Sequence, residues 1–299
     1  MLDFNDLISR TWKITWTHKT LWAMGFLMML ASFLFLPIIF VPMFRLSSSG
    51  DPTRWLENPI LWIAMGIGFL LLIIASYGIG SIIRPMLVVG ALKAERGADR
   101  LSFGGLFREG RTYFWRFLGL MILFAVIITL VSSVVSVIQI FGIFVTMGLA
   151  SLCLMPLSFL IYPLMYIGMA LLEVSESAVV VDGLGVMDAL RRGWEVLRFN
   201  KMNVFIVGLI MYVGLGMVSM IVILPFIFPF MFMPMFIVDN SLPREFLWGA
   251  GIWLVVCFPI MAFVQGIVLV IMKTGWLLTY LRLTHKPEAP VVLETAQQV

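Results

Sequence analysis

The stretch FLGLMILFAVIITLVSSVVSVIQIFGIFVTMGLASLCLMPLSFLIYPLMYIGMALL runs from Phe117 to Leu172 and holds 56 residues without a charged side chain. A hydrocarbon core of about 30 Å is crossed by about 20 helical residues. The stretch is therefore long enough for two spans, with a turn that we place near Gln139–Gly142. Helices are expected rather than a barrel, because lipid requires backbone groups to be paired within their own segment and because the run is apolar on all sides.

Other charge-free stretches flank this one on both sides, at 20–44, 58–83, 202–238 and 246–272. Together they predict six transmembrane helices, at about 21–43, 60–83, 117–138, 145–171, 203–225 and 247–272. The composition agrees, since 62% of the residues are hydrophobic and 12% are charged, against roughly 45–50% and 25% in ordinary globular proteins. These values exclude a soluble domain, a disordered chain, a secreted disulfide scaffold and a nucleic-acid-binding domain.

The distribution of Lys and Arg predicts the orientation. Counted between the predicted spans, 17 of these residues lie in the N-terminal segment, the second and fourth loops and the C-terminal tail, and 3 lie in the alternate loops. Basic residues favour the cytoplasmic side, so both termini are expected there. Anionic lipid headgroups are the expected partners of these residues, and no nucleic acid is expected. The tail at 284–299 is predicted to be flexible.

Three cytoplasmic segments resemble one another, which indicates an internal repeat. Phe4–Ile14 and Val186–Val196 share Asp, Arg and Trp in register, and Phe103–Tyr113 is a looser copy. Each is predicted to be an amphipathic helix in the membrane interface, beginning at Asp3, at Ser102, and at Asp182 or Gly185.

In the first copy the helical spacing predicts one apolar face and one polar face. The apolar face is formed by Phe4, Leu7, Ile8, Trp12 and Trp16, and the polar face by Asp6, Arg10 and Lys13. Two interpretations remain open for such helices: an elbow that positions the next span, or a docking face for a lipid or a partner.

The even-numbered spans also repeat. Ile83-Arg84-Pro85 matches Ile161-Tyr162-Pro163, and a Gly and a Glu follow each at equal distances. The predicted fold class is therefore all-α: a polytopic bundle of six spans in three hairpins, each preceded by an interfacial helix. The repeats cover about 1–95, 96–173 and 174–283, within a single transmembrane domain at 1–283.

A family resemblance rests on the stretch DALRRGW at Asp188–Trp194, preceded by VVDGLG at Val180–Gly185. The chain resembles a group of uncharacterised prokaryotic six-helix integral membrane proteins, similar to the membrane domain fused to some glycerophosphodiester phosphodiesterases. The resemblance implies a prokaryotic inner-membrane location. It implies no phosphodiesterase activity, because that activity belongs to a separate soluble barrel for which no segment is present.

Candidate lipid- or partner-binding residues follow from these patterns. They are Trp12, Arg84, Arg111, Trp115, Arg191, Arg192, Trp194 and Gln265. Arg84 is expected to reach out to lipid phosphate, with an anion ligand in a pocket as the alternative. Gln265 is expected to hydrogen-bond across helices rather than to contact a ligand.

The sequence gives little indication of catalysis or ion coupling. No predicted span has an acidic residue at its centre, and Glu173 and Glu176 are expected only to flank a span, which lowers the expectation of an ion-coupled carrier. No zinc-type Cys/His cluster, phosphate-binding loop or nucleophile elbow is present, so no cofactor or metal is expected. An enzyme would need Arg84, Glu95, Glu173 and Arg191 to converge.

Prolines follow the fifth predicted span at Pro225, Pro229 and Pro234. Proline removes an intrahelical donor and kinks or breaks a helix. We therefore predict a broken or interfacial extension over 225–237, either a flap facing lipid or a crevice that admits acyl chains or a partner's helix.

These observations favour a non-catalytic integral membrane protein. It would be a scaffold or accessory subunit that binds membrane lipid, a membrane protein partner or a second copy of itself. The alternative is a permease-like protein for a lipidic or apolar solute.

Overall fold

The structure is a computed structural model that describes residues 3–31, 59–98, 100–146, 149–231 and 244–284. The described residues form helices and no strands. In chain order these are α1 (Phe4–Thr17), α2 (Lys19–Ala31), α3 (Pro59–Glu95), α4 (Phe103–Thr112), α5 (Phe114–Val145), α6 (Leu149–Val181), α7 (Val186–Phe199), α8 (Lys201–Gly208), a π-helical turn (Leu209–Gly214), α9 (Leu215–Met231) and α10 (Arg244–Thr284).

Five helical segments are long and apolar enough to cross a membrane, namely Trp62–Glu95, Phe114–Gly142, Pro163–Val181, Lys201–Pro225 and Gly251–Thr284. They indicate a multi-pass membrane protein. The first predicted span is represented by α2, an apolar helix of 13 residues. The remainder of that span, at 32–43, lies outside the described residues.

Several helices run beyond the ends predicted for them. The helix predicted to end at 83 continues to Glu95, the one predicted to end at 171 continues to Val181, and the one predicted to end at 272 continues to Thr284. The turn predicted near Gln139 is also wrong, because α5 continues to Val145. For those three helices, each predicted span ends before the first charged residue that follows it. The helix instead continues past that residue, whose side chain lies inside the protein.

The extension predicted over 225–237 is not broken as far as Met231, because α9 continues through Pro225 to that residue. Pro229 has no N–H to donate to the carbonyl of Pro225 four residues earlier. That carbonyl oxygen instead accepts a hydrogen bond from Trp253 Nε1 on α10 at 3.1 Å. A neighbouring helix therefore supplies the missing donor. The end of the predicted extension, at 232–237, lies outside the described residues.

The short helices begin where the sequence predicts. The Asp3 side chain accepts hydrogen bonds from two backbone N–H groups of α1, and Ser102 Oγ accepts one from Gly105 N at 3.1 Å. Of the two starts considered for α7, Gly185 is the residue that precedes the helix.

The apolar residues predicted on one face of α1 do not share one environment. Leu7 is fully buried, whereas Ile8, Trp12 and Trp16 are exposed. Thr11 takes part in the buried face instead, and its hydroxyl donates to Leu7 O at 2.8 Å.

The core of the protein lies among three long helices, α3, α6 and α10, which contact one another pairwise. We call them the central helices. Each carries one short helix: α4 packs on α3, α7 on α6 and α1 on α10. The outer helices lie around them, with α2 contacting α10 and α3, α5 contacting α3 and α6, and α8–α9 contacting α6 and α10.

Glycines permit the closest of these contacts. A Cβ atom added at Gly266 of α10 would lie 2.6 Å from Phe26 N of α2. One added at Gly110 of α4 would lie 3.2 Å from Met86 N of α3. Small residues therefore let helices approach backbone to backbone, as is common in membrane bundles.

Candidate functional site

Four charged side chains meet where the central helices contact one another. Arg84 comes from α3, Glu173 and Glu176 from α6, and Lys273 from α10. Lys273 Nζ donates to Glu173 Oε1 and Oε2, at 2.8 Å each, and also to Glu176 Oε2. Arg84 Nη1 donates to Glu176 Oε1 at 2.7 Å. We call this group the ion tetrad. It joins all three central helices through side-chain hydrogen bonds.

Three of the four side chains in the ion tetrad are almost removed from solvent, and the fourth, Arg84, is partly exposed. The side chains of Lys273 and Glu176 are 2% and 1% exposed. Charges in such a position are expensive unless they are paired and hydrogen-bonded. Two carboxylates face two cations here, so with all four groups ionised the net charge is zero. This balance is what allows the four groups to lie within the bundle.

Two predictions made from the sequence are wrong at this site. Glu173 and Glu176 do not merely flank a span, because both are buried within Pro163–Val181. Arg84 does not extend outward to lipid phosphate, because it pairs with Glu176. The spans therefore do contain ionisable groups, and their expected absence no longer lowers the expectation of an ion-coupled carrier.

Aromatic side chains lie beside the ion tetrad. The Tyr212 hydroxyl lies near Glu173, Glu176 and Arg84 without forming a hydrogen bond to them. Its ring packs against Trp276 with ring centroids 5.9 Å apart, and against Tyr166 at 5.4 Å. Tyr212 belongs to the π-helical turn, a distortion that is frequent at functional sites.

Some buried polar atoms in this region have no hydrogen-bond partner among the described residues. They are Arg84 Nε, Tyr212 Oη and Trp276 Nε1, together with Ser175 Oγ on another side of α6. The first three can all donate a hydrogen bond. The region beside the ion tetrad therefore offers donors to a group that accepts hydrogen bonds.

A second polar network ties α10 to α6 and α7. The Tyr280 hydroxyl donates to Asp182 Oδ2, and a hydrogen bond with the same tyrosine raises the pKa of Arg192 above its ordinary value. Arg192 Nη1 also lies 3.5 Å from Glu195 Oε2. The cation of Arg192 is thus held by its neighbours at the end of the central helices.

The residues predicted from the sequence as one site are dispersed. Arg84 belongs to the ion tetrad, and Gln265 Nε2 donates to Ser219 O of α9 at 3.2 Å, which confirms the predicted bond across helices. The others lie on the three short helices or next to them. Trp12 is exposed on α1, Arg111 is exposed on α4, and Trp115 is exposed at the start of α5. The helix α7 carries Arg191, Arg192 and Trp194. Arg191 Nε lies 3.6 Å from Glu195 Oε1.

Sequence reasoning missed Glu176, Lys273 and Tyr212. A signal was available, since Arg84, Glu173 and Lys273 each interrupt an apolar run that resumes after them. Within the described part of the chain, no group of three or more His, Cys, Asp or Glu side chains is placed to hold a metal ion.

Comparison of the chain with protein-family models, with curated proteins and with solved structures finds no match. A functional proposal therefore rests on the chemistry of the site.

Proposed function

We propose that the protein is a non-catalytic multi-pass membrane protein, a scaffold or accessory subunit that binds lipid or a partner protein. The observation that carries this proposal is the ion tetrad, which ties α3, α6 and α10 together at a buried point. The same three helices carry the short helices α4, α7 and α1. A platform of three short helices on a fixed core is suited to holding a ligand or partner rather than to turning one over.

The proposal includes a topology of six spans in three hairpins, derived from a threefold repeat. Both termini would lie in the cytoplasm of a prokaryotic cell, with the short helices in the cytoplasmic interface of the inner membrane. The contact pattern supports this plan, because each short helix packs on one central helix. The 17 to 3 distribution of Lys and Arg supports the orientation. We also propose that the chain is related to the uncharacterised six-helix membrane proteins that it resembles.

Thiol labelling in intact cells tests the topology. Gly50→Cys, Leu242→Cys and Gly104→Cys would be made with Cys153 and Cys257 replaced by Ser. An impermeant reagent should modify the first two variants before lysis and the third only after lysis. Labelling of Gly104→Cys alone in intact cells would reverse the orientation.

Native mass spectrometry of the protein in a mild detergent tests the binding role. We expect phospholipid or a second polypeptide to remain bound in a fixed ratio. Trp12→Ala, on a short helix, should lower that ratio, whereas Trp62→Ala should leave it unchanged. The two residues are similarly exposed, at 55% and 53%. A bare monomer under all mild conditions would contradict the proposal.

The second candidate function is a permease-like protein for a lipidic or apolar solute. It is favoured by the ion tetrad itself, since ionisable groups within spans commonly mark transport pathways. Two buried donors also have no hydrogen-bond partner among the described residues, namely Arg84 Nε within the tetrad and Tyr212 Oη on the π-helical turn.

Proteoliposomes containing fluorescent phosphatidylglycerol and an impermeant quencher separate the two functions. A scaffold leaves the inner-leaflet fluorescence protected, as in protein-free vesicles. Loss of that protection in wild type, and its return in Tyr212→Phe, would favour the permease.

A further inference from the structure

A lateral groove of about 930 Å³ lies between α6 and α8. One wall comes from α6, the other from α8 and the π-helical turn, and one end is closed by α7. Its lining is Pro163, Tyr166, Ile167, Ala170, Trp194, Leu197, Arg198, Lys201, Met202, Val204, Phe205, Leu209 and Val213. Apart from the tyrosine hydroxyl and the two cations at the α7 end, the lining is apolar.

The junction of α6 and α8 is packed differently from another junction between an outer and a central helix. At the α2–α10 junction two glycines, Gly25 and Gly266, bring the backbones together. At the α8–α6 junction the glycine, Gly208, instead faces the ring of Tyr166, whose hydroxyl donates to Phe205 O at 2.9 Å. The Tyr166 ring therefore lies between α6 and α8, where the α2–α10 junction has glycine against glycine.

The ends of the groove differ in polarity. Arg198 and Lys201 lie at the α7 end and are exposed, and neither forms an ion pair within the described ranges of the chain. Trp194, also exposed, lies beside them. Phe205, Leu209 and Val213 extend the apolar wall away from these cations. A ligand that fits is therefore negatively charged at one end and apolar along its length.

We propose that this groove binds one phospholipid with an anionic headgroup, whose phosphate lies at Arg198 and Lys201 and whose acyl chain follows α6 and α8. The proposal rests on the proposed function for its membrane setting and deepens it by naming the ligand. The groove volume lies in the range of about 300–1,000 Å³ that is typical of small-molecule sites.

Titration of delipidated protein with dioleoylphosphatidylglycerol or dioleoylphosphatidylcholine, read by native mass spectrometry, tests the headgroup end. We expect one phosphatidylglycerol to bind in preference to phosphatidylcholine. Arg198→Gln combined with Lys201→Gln should weaken phosphatidylglycerol binding about thirtyfold, the factor that corresponds to ~1 kcal/mol for each basic residue. Arg96→Gln combined with Arg108→Gln is the control and should change it little. Equal binding of the two lipids, or an equal loss in the control, overturns the proposal.

A matched pair of valine substitutions tests the apolar wall. Val213 lines the groove and Val218 does not, although they are almost equally exposed, at 49% and 47%. Val213→Trp should abolish the one-to-one binding by filling the groove, and Val218→Trp should leave it intact. If both variants bind as the wild type does, the groove is not the site.

The two proposals fail in different ways. Loss of all lipid selectivity while a partner polypeptide remains bound refutes the groove and keeps the scaffold. A protein that retains neither lipid nor partner refutes both. A disulfide between two copies of Val213→Cys in lipid-replete membranes would assign the groove to self-association and refute the lipid.

Discussion

Lys273→Met is the most direct perturbation of the ion tetrad. Lys273 is the residue through which α10 joins the two carboxylates of α6, and its side chain is 2% exposed. Removing it leaves Glu173 without an ion-pair partner in the described part of the chain, whereas Glu176 keeps Arg84. Breaking a buried pair by removing one partner costs about 3–5 kcal/mol. At about 2–4 °C per kcal/mol, the melting temperature should fall by roughly 6–20 °C.

The assay is thermal unfolding of the purified protein in detergent, followed by the fluorescence of its tryptophans. The rescue variant combines Lys273→Met with Glu173→Gln, which removes the stranded charge and should recover at least half of the loss. Arg282→Met is the surface control, because the Arg282–Asp6 pair is partly exposed and such pairs contribute about 0–1 kcal/mol. If Lys273→Met unfolds within 2 °C of wild type, or if the double variant is no better, the four charges do not form a desolvated network.

Three further changes test the helix contacts in the same assay. Gly266→Ala should cost about 1–3 kcal/mol, because its methyl group meets the backbone of α2, whereas Gly251→Ala, with open space around it on the same helix, should cost nothing. Gly110→Ala should likewise destabilise the packing of α4 on α3, and Gly104→Ala should not; equal effects within either pair would contradict the close contacts. Gln265→Leu should cost about 0.6–2 kcal/mol through loss of its bond to α9, and an unchanged stability would show that bond to be unimportant.

The helices and their starts could be predicted because they depend on local sequence. A run of 56 uncharged residues dictates helices in lipid, and the Asp3 and Ser102 side chains cap the turns that follow them. Each of these signals lies within a few residues of the feature it determines, so no knowledge of the tertiary packing is needed.

The pairing of charges within the ion tetrad could not be predicted, and the same physical reason applies to three of its residues. The apolar runs were ended at the first charge, so the predicted spans stop immediately before Arg84, close to Glu173 and immediately before Lys273. A single charge is read as a membrane boundary when its partners are unknown. The partners are 92 to 100 residues apart in the chain, as in the pairing of Lys273 with Glu173 across 100 positions. The four charges neutralise one another only when tertiary packing brings the central helices together.

The same distinction between paired and unpaired cations separates the two sites. Arg84 and Lys273 are held by carboxylates, so an anion that entered the bundle would have to compete with Glu173 and Glu176 for them. Arg198 and Lys201 form no ion pair among the described residues and lie at the α7 end of an apolar groove. An anionic lipid is therefore attracted to the groove and not to the tetrad, although both contain one Arg and one Lys. Replacing Glu176 by Gln should leave phosphatidylglycerol binding unchanged while it destabilises the fold, and a gain in lipid affinity would show that the buried cations are accessible after all.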